Sequence, residues 1–281
     1  MFKKLIELRN YYQDKKLVSQ RYFQIFGRKI DWKNPKTYNE KLCIKKISPE
    51  MEKWWIYADK WEVRKYVAKK AGKKYFNKVY GVYQTVEEID FKALPNQFVL
   101  KLTHASGCNI ICKNKEKLDL GKTKEKLNKW LKLDYYLKSQ ERQYKLIKPQ
   151  IICERYLEEK NGQLADYKFF CFDGQPKFIH FDIDRYTNHR RNFYNLKWQK
   201  LPFSQGCPNI EAKIPKPKDL SKMIEMSKVL SADLDHTRID FYYLNNRIYF
   251  SEITFTQYGG MQPFRPEKYD YIIGKYFKLK T

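Results

Sequence analysis

Between residues 238 and 254, apolar and polar side chains alternate in two runs, Arg238-Ile-Asp-Phe-Tyr-Tyr-Leu244 and Ile248-Tyr-Phe-Ser-Glu-Ile-Thr254, on either side of a polar Asn-Asn-Arg break. Period-2 runs rich in β-branched and aromatic residues around such a break predict a β-hairpin. With Asn245, Asn246 and Arg247 as a three-residue loop, Asp240 lies opposite Glu252 and Arg238 opposite Thr254. The same alternation predicts strands at 79–83, 98–102, 110–112 and 151–157, the last presenting Glu154 and Arg155 to opposite sides. After a turn at Gly162, residues 166–172 and 176–182 read as two antiparallel strands about an Asp173-Gly174 turn, with Asp166 and Lys168 on one face.

Helical spacing governs elsewhere. Residues 2–26 read as one or two basic amphipathic helices, 37–47 as a helix, and 52–71 as another closed by Gly72. Further helices are predicted at 123–133 and 220–231, with loops at 185–191 and 202–218. The fold class is therefore α+β, with a helical region over 1–74 followed by two strand-containing regions, 75–150 and 151–281.

Composition narrows the partners. Lys and Arg outnumber acids 57 to 32, a net charge of +25 that calls for an anionic partner such as nucleic acid, an acidic membrane surface or a phosphorylated or uronic-acid substrate. An aromatic fraction of 17% in 281 residues argues against disorder and for a sizeable core. No apolar run is long enough to span a bilayer and the polar start does not resemble a signal peptide, so the expectation is a cytoplasmic protein. The helices at 2–26 either lie on an anionic membrane face or pack on the protein's own core. Six cysteines without a CxxC pair predict reduced thiols rather than zinc or disulfides.

Three patterns carry chemistry. Two carboxylates facing each other across a hairpin repel unless a cation lies between them, and a hard divalent ion with oxygen ligands suits the pair; the alternative is a surface hairpin with ordinary charges. If they repel, Glu252→Gln leaves the metal-free protein as stable as the parent or slightly more so. Lys101 ends a strand that enters the small-residue loop Thr103-His-Ala-Ser-Gly-Cys-Asn109, so an ammonium and backbone N–H groups can meet one phosphate; an ordinary hairpin turn is the other reading. The segment with His189, Arg190 and Arg191 reads either as a solvated loop or as a phosphate clamp. Gly121-Lys-Thr123 lacks the earlier glycine of a phosphate-binding loop, since Glu116 stands there.

In order along the chain, Asn34-Pro-Lys-Thr-Tyr-Asn-Glu-Lys41, Ala58-Asp-Lys60, Leu94-Pro-Asn-Gln-Phe-Val-Leu-Lys101, His104-Ala-Ser-Gly107, Asp166-Tyr-Lys-Phe-Phe-Cys-Phe172, Asn188-His-Arg-Arg-Asn-Phe-Tyr194, Arg238-Ile-Asp240 and Glu252-Ile-Thr254 resemble the ATP-grasp superfamily. The resemblance is strongest to the TupA-like branch of bacterial surface-polysaccharide clusters. It implies ATP between two antiparallel sheets, with Lys101 on the phosphates and His104, Ser106 and Gly107 in a flexible phosphate loop. It further implies Glu154 and the backbone near Tyr156 at adenine, Asp166 at ribose, Asp240 and Glu252 on magnesium, and Arg238 on the intermediate. Thr254 stands where a metal-binding Asn is usual. Lys168, Arg190 and Arg191 join Arg238 as candidate catalytic cations. The implied reaction is ATP-dependent ligation of a carboxylate, here an anionic glycan or sugar carboxylate, to an amine or amino acid through an acyl phosphate.

Two rival readings stand beside this one. Asp182-Ile-Asp184 resembles the metal-binding DxD of glycosyltransferases, and basic charge with many tyrosines suits a nucleic-acid-binding protein, although no nucleic-acid-binding motif is present.

Overall fold

The computed structural model describes residues 2–159, 164–185 and 187–279, and the side chains from residue 7 onward; the turn expected at Gly162 lies outside the described residues. Helix α1 (Phe2–Phe26) is followed by α2 (Tyr38–Ile47), a 3-10 turn and the short helices α3 (Trp55–Ala58) and α4 (Val63–Lys70). Strands β1 (Val79–Tyr83), β2 (Phe98–Leu102) and β3 (Asn109–Cys112) precede α5 (Leu120–Leu131), α6 (Tyr135–Ser139) and β4 (Ile151–Arg155). Then come β5 (Asp166–Phe172), β6 (Gln175–Ile183), β7 (Arg190–Asn195), β8 (Ser204–Gln205) and α7 (Leu220–Ser231). The chain closes with β9 (His236–Leu244), β10 (Arg247–Thr254), β11 (Phe264–Arg265) and α8 (Lys268–Tyr276). No helix among the described residues is long and apolar enough to cross a membrane.

Two antiparallel sheets organise the molecule. One runs β1-β4-β2-β3, so its second strand comes from beyond residue 150; the other runs β10-β9-β5-β6-β7. Phe98, Leu100, Leu102, Ile151 and Cys153 put one face of the first sheet on a core shared with Leu127 of α5. This alternation leaves Val99, Lys101, Ile152 and Glu154 on the opposite face. In the second sheet, Phe169, Ile179, Phe181, Ile239 and Phe241 pack against Met223 and Leu230 of α7. Its other face is divided: Phe170, Phe178 and Phe193 are covered by Tyr38 of α2 and Ile273 of α8, while the positions further along the same strands are polar.

Local signals explain the helix ends. Thr37 caps α2 through a reciprocal pair, its hydroxyl accepting from Glu40 N at 3.2 Å while Glu40 Oε2 accepts from Thr37 N at 3.0 Å. The single helix expected over 52–71 is broken instead at Asp59. Its buried carboxylate accepts from Trp61 N at 2.7 Å and Glu62 N at 2.9 Å, an alternative to helical pairing that restarts the chain as α4. Gly72, at φ 95°, ends α4 in the left-handed region, as the pattern predicted.

The hairpin of β9 and β10 reaches the expected pairing by a different route. Only Asn245 and Asn246 form the loop, both left-handed at φ 51° and 56°, and Leu244 pairs with Arg247. The register then shifts between Phe250 and Glu252, so Ser251 is the extra residue that brings Glu252 opposite Asp240 and Thr254 opposite Arg238. A second correction concerns residues 190 and 191, which begin β7 rather than closing a loop.

Candidate active site in the cleft between the sheets

The polar half of the five-stranded sheet faces the Lys101 face of the four-stranded one. Lys101, Ile152 and Glu154 on one side and Tyr242, Phe250 and Ser251 on the other line a single cavity, to which Lys60, Arg64 and Asn77 contribute from the helical region and its exit. Lys101 Nζ donates to Glu154 Oε2 at 2.7 Å, and Arg64 lies 3.5 Å from the other carboxylate oxygen. Glu154 thus joins a lysine of β2 to an arginine of α4. Beyond β4, Tyr156 leads an irregular stretch toward the second sheet, its hydroxyl donating to Glu158 Oε2 at 2.9 Å.

The small-residue loop between β2 and β3 has a buried start and an exposed tip. His104 is 3% exposed and turned into its own lobe, with Nε2 3.1 Å from Leu133 O, and burial lowers its basicity. Ser106 and Gly107 are exposed, and Gly107 sits at φ 77°. Lys60 Nζ donates to the carbonyl of Ala105 beneath the tip, and burial lowers the Lys60 ammonium below its ordinary value. Lys60 belongs to the Ala58-Asp-Lys60 block, yet reading that block as helix interior hid its role; the break at Asp59 is what aims it at the cleft.

Arg238 occupies the place between the two hairpin carboxylates. Its Nε and Nη2 donate to Asp240 Oδ1 and Oδ2 at 2.7 and 2.6 Å, a bidentate pair, and Nη2 reaches Glu252 Oε1 and Thr254 Oγ1 at 3.1 Å each. Arg238 therefore screens the two carboxylates from each other, although Glu252 still pushes the Asp240 carboxyl up, so removing the Glu252 charge relieves that push and at the same time removes an ion pair to Arg238. Burial pushes the Asp240 carboxyl up to about 7 against the pull of Arg238. At Glu252, burial is outweighed by Arg238, Lys60, Lys168 and Arg185, which bring it down to about 2. The Glu252 side chain retains 40% exposure and opens toward the cleft.

Lys168, opposite Asp240 in the neighbouring strand, turns to Asp182 on its other side. Asp166 is held by Arg185 Nη1 at 3.2 Å. Asp182 is fully buried and accepts from Lys168 Nζ, from Arg191 Nε at 2.7 Å and from His189 Nε2 at 2.9 Å, while His180 Nε2 lies 2.9 Å away without hydrogen-bond alignment. Burial would push this carboxyl up, but His180, Lys168 and His189 hold it far below the carboxylate range. Asp182 and Asp184 do not form a metal-binding pair: the first is already neutralised, and the second leaves the strand at φ 56°. Cys207 comes within 4.8 Å of the Asp182–His189 pair, but Lys168 and Arg191 on the same carboxylate argue against a cation there.

Arg191 and Arg190 part company. Arg191 pairs across from Asp182 and shares its face, donating also to the Gln205 carbonyl and the Tyr258 hydroxyl. Arg190 projects from the opposite face, where Nη1 reaches Asn209 O at 3.4 Å, so strand alternation removes it from the candidate catalytic set. The structure adds His180 and Gln257, neither of which the sequence singled out. His180 was findable, since it shares a face with Asp182 by period 2; the Gly259-Gly260 pair signals the turn that carries Gln257, but not that Gln257 accepts from Arg238 Nη1 at 3.1 Å.

Among solved structures, D-alanine–D-alanine ligase from Helicobacter pylori is similar at 13% identity and a TM-score of 0.44, over 79% of this chain and 62% of that one. The corresponding ligase from Bacillus anthracis complexed with ATP gives 14% and 0.44, over 72% and 55%. Biotin carboxylase from Campylobacter jejuni gives 12% and 0.46, over 85% and 50%. The chain thus spans less than two thirds of the length of these proteins. No curated protein matches it in sequence. The TupA-like ATP-grasp pattern matches residues 40–278, most of the chain, and takes in both sheets and the cleft between them: the protein belongs to the TupA-like ATP-grasp family.

Proposed function

We propose that the protein is an ATP-dependent carboxylate–amine ligase that activates the carboxylate of an acidic sugar on a bacterial capsule or cell-surface polysaccharide precursor. The observation that supports this most is the Arg238–Asp240–Glu252 cluster on one sheet, with Lys60 between its Glu252 and the Lys101 of the other sheet so that it feels both charges. In this reading Lys101 and Lys60 neutralise the nucleotide phosphates while the exposed Ser106–Gly107 tip closes over them through backbone N–H groups. His104 anchors that tip from inside the lobe. Glu154 and the backbone beside Tyr156 meet the adenine, and Asp166 the ribose.

Asp240 and Glu252 would hold magnesium as hard oxygen ligands in register once Arg238, which occupies both Asp240 oxygens here, releases one of them, and the exposure of Glu252 gives access. Thr254 can add a neutral hydroxyl. When bound, the ion screens the phosphate oxygens during phosphoryl transfer. Arg238, already fixed by Asp240 and Gln257, is placed to stabilise charge that builds on the tetrahedral carbon, and Lys168 and Arg191 keep the acceptor end of the cleft cationic. A positive cleft in a chain of charge +25 favours a uronic acid over a neutral sugar. The exposed Leu8, Tyr12 and Phe23 beside basic residues of α1 support contact with an anionic membrane face, in a protein that acts at the cytoplasmic side.

The test is isotopic. A uronic acid carrying ¹⁸O in its carboxylate, incubated with Mg-ATP and an amine panel, should place one label in the released phosphate. ADP and phosphate without label, or cleavage of a sugar nucleotide instead, would remove the reading.

A further inference from the structure

Two imidazoles approach the same oxygen of Asp182, and they are not equivalent. His180 is fully enclosed, and burial together with Arg191 keeps it neutral. His189 retains 31% side-chain exposure at the mouth of β7. Its Nε2 lies 2.9 Å from Asp182 Oδ1. The Asp182 carboxylate accepts at that nitrogen, so Nε2 carries the hydrogen, and in the neutral ring Nδ1 holds the lone pair. No hydrogen-bond partner of Nδ1 is found among the described residues.

The carboxylate that orients this ring is tied to the Arg238 cluster through Gln257, both the side chain and the backbone carbonyl of Gln205, and Arg191. Arg238 Nη1 donates to Gln257 Oε1 at 3.1 Å, and Gln257 Nε2 donates to Gln205 Oε1 at 2.9 Å. Arg191 then donates to the Gln205 carbonyl and, through Nε, to Asp182 at 2.7 Å. Lys168 and Arg191, the other cations on Asp182, offer no lone pair while protonated, and Asp240 and Glu252 are engaged by Arg238.

The geometry points to His189 as the general base of the ligation step, with Asp182 as its positioning residue; this rests on the ligase reading given above. An amine arrives at neutral pH largely as its ammonium ion. His189 Nδ1 takes one proton, and the freed lone pair forms the C–N bond at the acyl carbon. The bond from that carbon to the phosphate oxygen breaks, and the departing phosphate carries away the electron pair and the excess proton left on nitrogen.

His189→Gln tests this, since Gln retains an N–H for Asp182 but has no basic nitrogen. Parent and variant are compared with Mg-ATP and D-glucuronate, using ammonia, which arrives protonated, or hydroxylamine, which arrives uncharged. The variant should lose amide formation by about 10²–10⁴-fold while hydroxamate formation stays within about threefold of the parent. Equal losses with both nucleophiles, or no loss with either, would overturn the assignment of His189. A parent that forms hydroxamate but shows either of those outcomes leaves the ligase reading standing, whereas a parent that forms none removes the ligase reading and His189 with it.

Discussion

Glu252→Gln separates a metal ligand from a structural acid. In the absence of nucleotide the cost is small, because Gln keeps an oxygen for Arg238 Nη2 at 3.1 Å and for Thr254 Oγ1 at 3.0 Å. The lost ion pair is two-fifths exposed on the Glu252 side, which limits it to about 0.5–1 kcal/mol. For a chain of this size that corresponds to a fall in Tm of about 1–4 °C. The ligand-bound comparison differs. At a Mg-ATP concentration a hundred times its Kd, the parent gains about 2.7 kcal/mol, or roughly 5–10 °C. Removing one of two charged ligands weakens Mg-ATP by about a hundredfold, since even outer partners of a metal ligand are worth about 10–100-fold. The variant's gain then falls to about 0.4 kcal/mol, near 1 °C. Thermal unfolding of both proteins with and without Mg-ATP reads these four values. A Mg-ATP shift in the variant equal to the parent's refutes the magnesium assignment.

Lys101→Ala should leave the fold intact and weaken ATP by about 1.5–3 kcal/mol, or roughly 10–150-fold, measured by titration calorimetry; an unchanged affinity would take Lys101 out of the site. His236 is 1% exposed between Tyr38 and the Cys171 carbonyl, and burial and Lys45 depress it to about 3. A histidine with a lowered folded value contributes stability above its unfolded value near 6.5 that is lost as pH falls toward 3. This group alone should therefore lower stability by roughly 2 kcal/mol from pH 7 to pH 5. Denaturant unfolding of parent and His236→Gln at both pH values checks it: a pH dependence no flatter in the variant contradicts the argument. The double change Tyr12→Ser and Phe23→Ser should reduce flotation with anionic vesicles while leaving Tm within about 2 °C, since both side chains are exposed; equal flotation would leave α1 with a packing role only.

How far the sequence carried the structure depended on whether a position was set by neighbours in the chain. Period-2 alternation placed β2, β5, β6 and β9, and with them Lys101, Asp166, Lys168, Arg238 and Asp240 on their shared faces. The pairing of Asp240 with Glu252 was legible, but its cause was not: Ser251 is an ordinary strand residue whose role as a bulge is set by the fold around it. Two failures have the same origin. Asp59 looks like a tolerable helix residue until its buried carboxylate takes two backbone N–H groups, and that break is what directs Lys60 into the cleft. Arg190 and Arg191 are indistinguishable as a basic pair; only the start of β7 decides which of them faces Asp182. The position of Arg238 between the two acids was illegible for another reason, since a side chain reaching back across its own strand pairing leaves no pattern in spacing.

The claim on which the rest depends is that the cleft between the two sheets takes ATP with magnesium. Equilibrium binding of ATP, a uridine-diphosphate sugar and a single-stranded oligonucleotide, each with and without magnesium, tests it most directly. ATP should bind tightly, and its binding should weaken sharply without magnesium and in Lys101→Ala. A preference for the sugar nucleotide or the oligonucleotide, or ATP binding indifferent to both magnesium and Lys101, would contradict it.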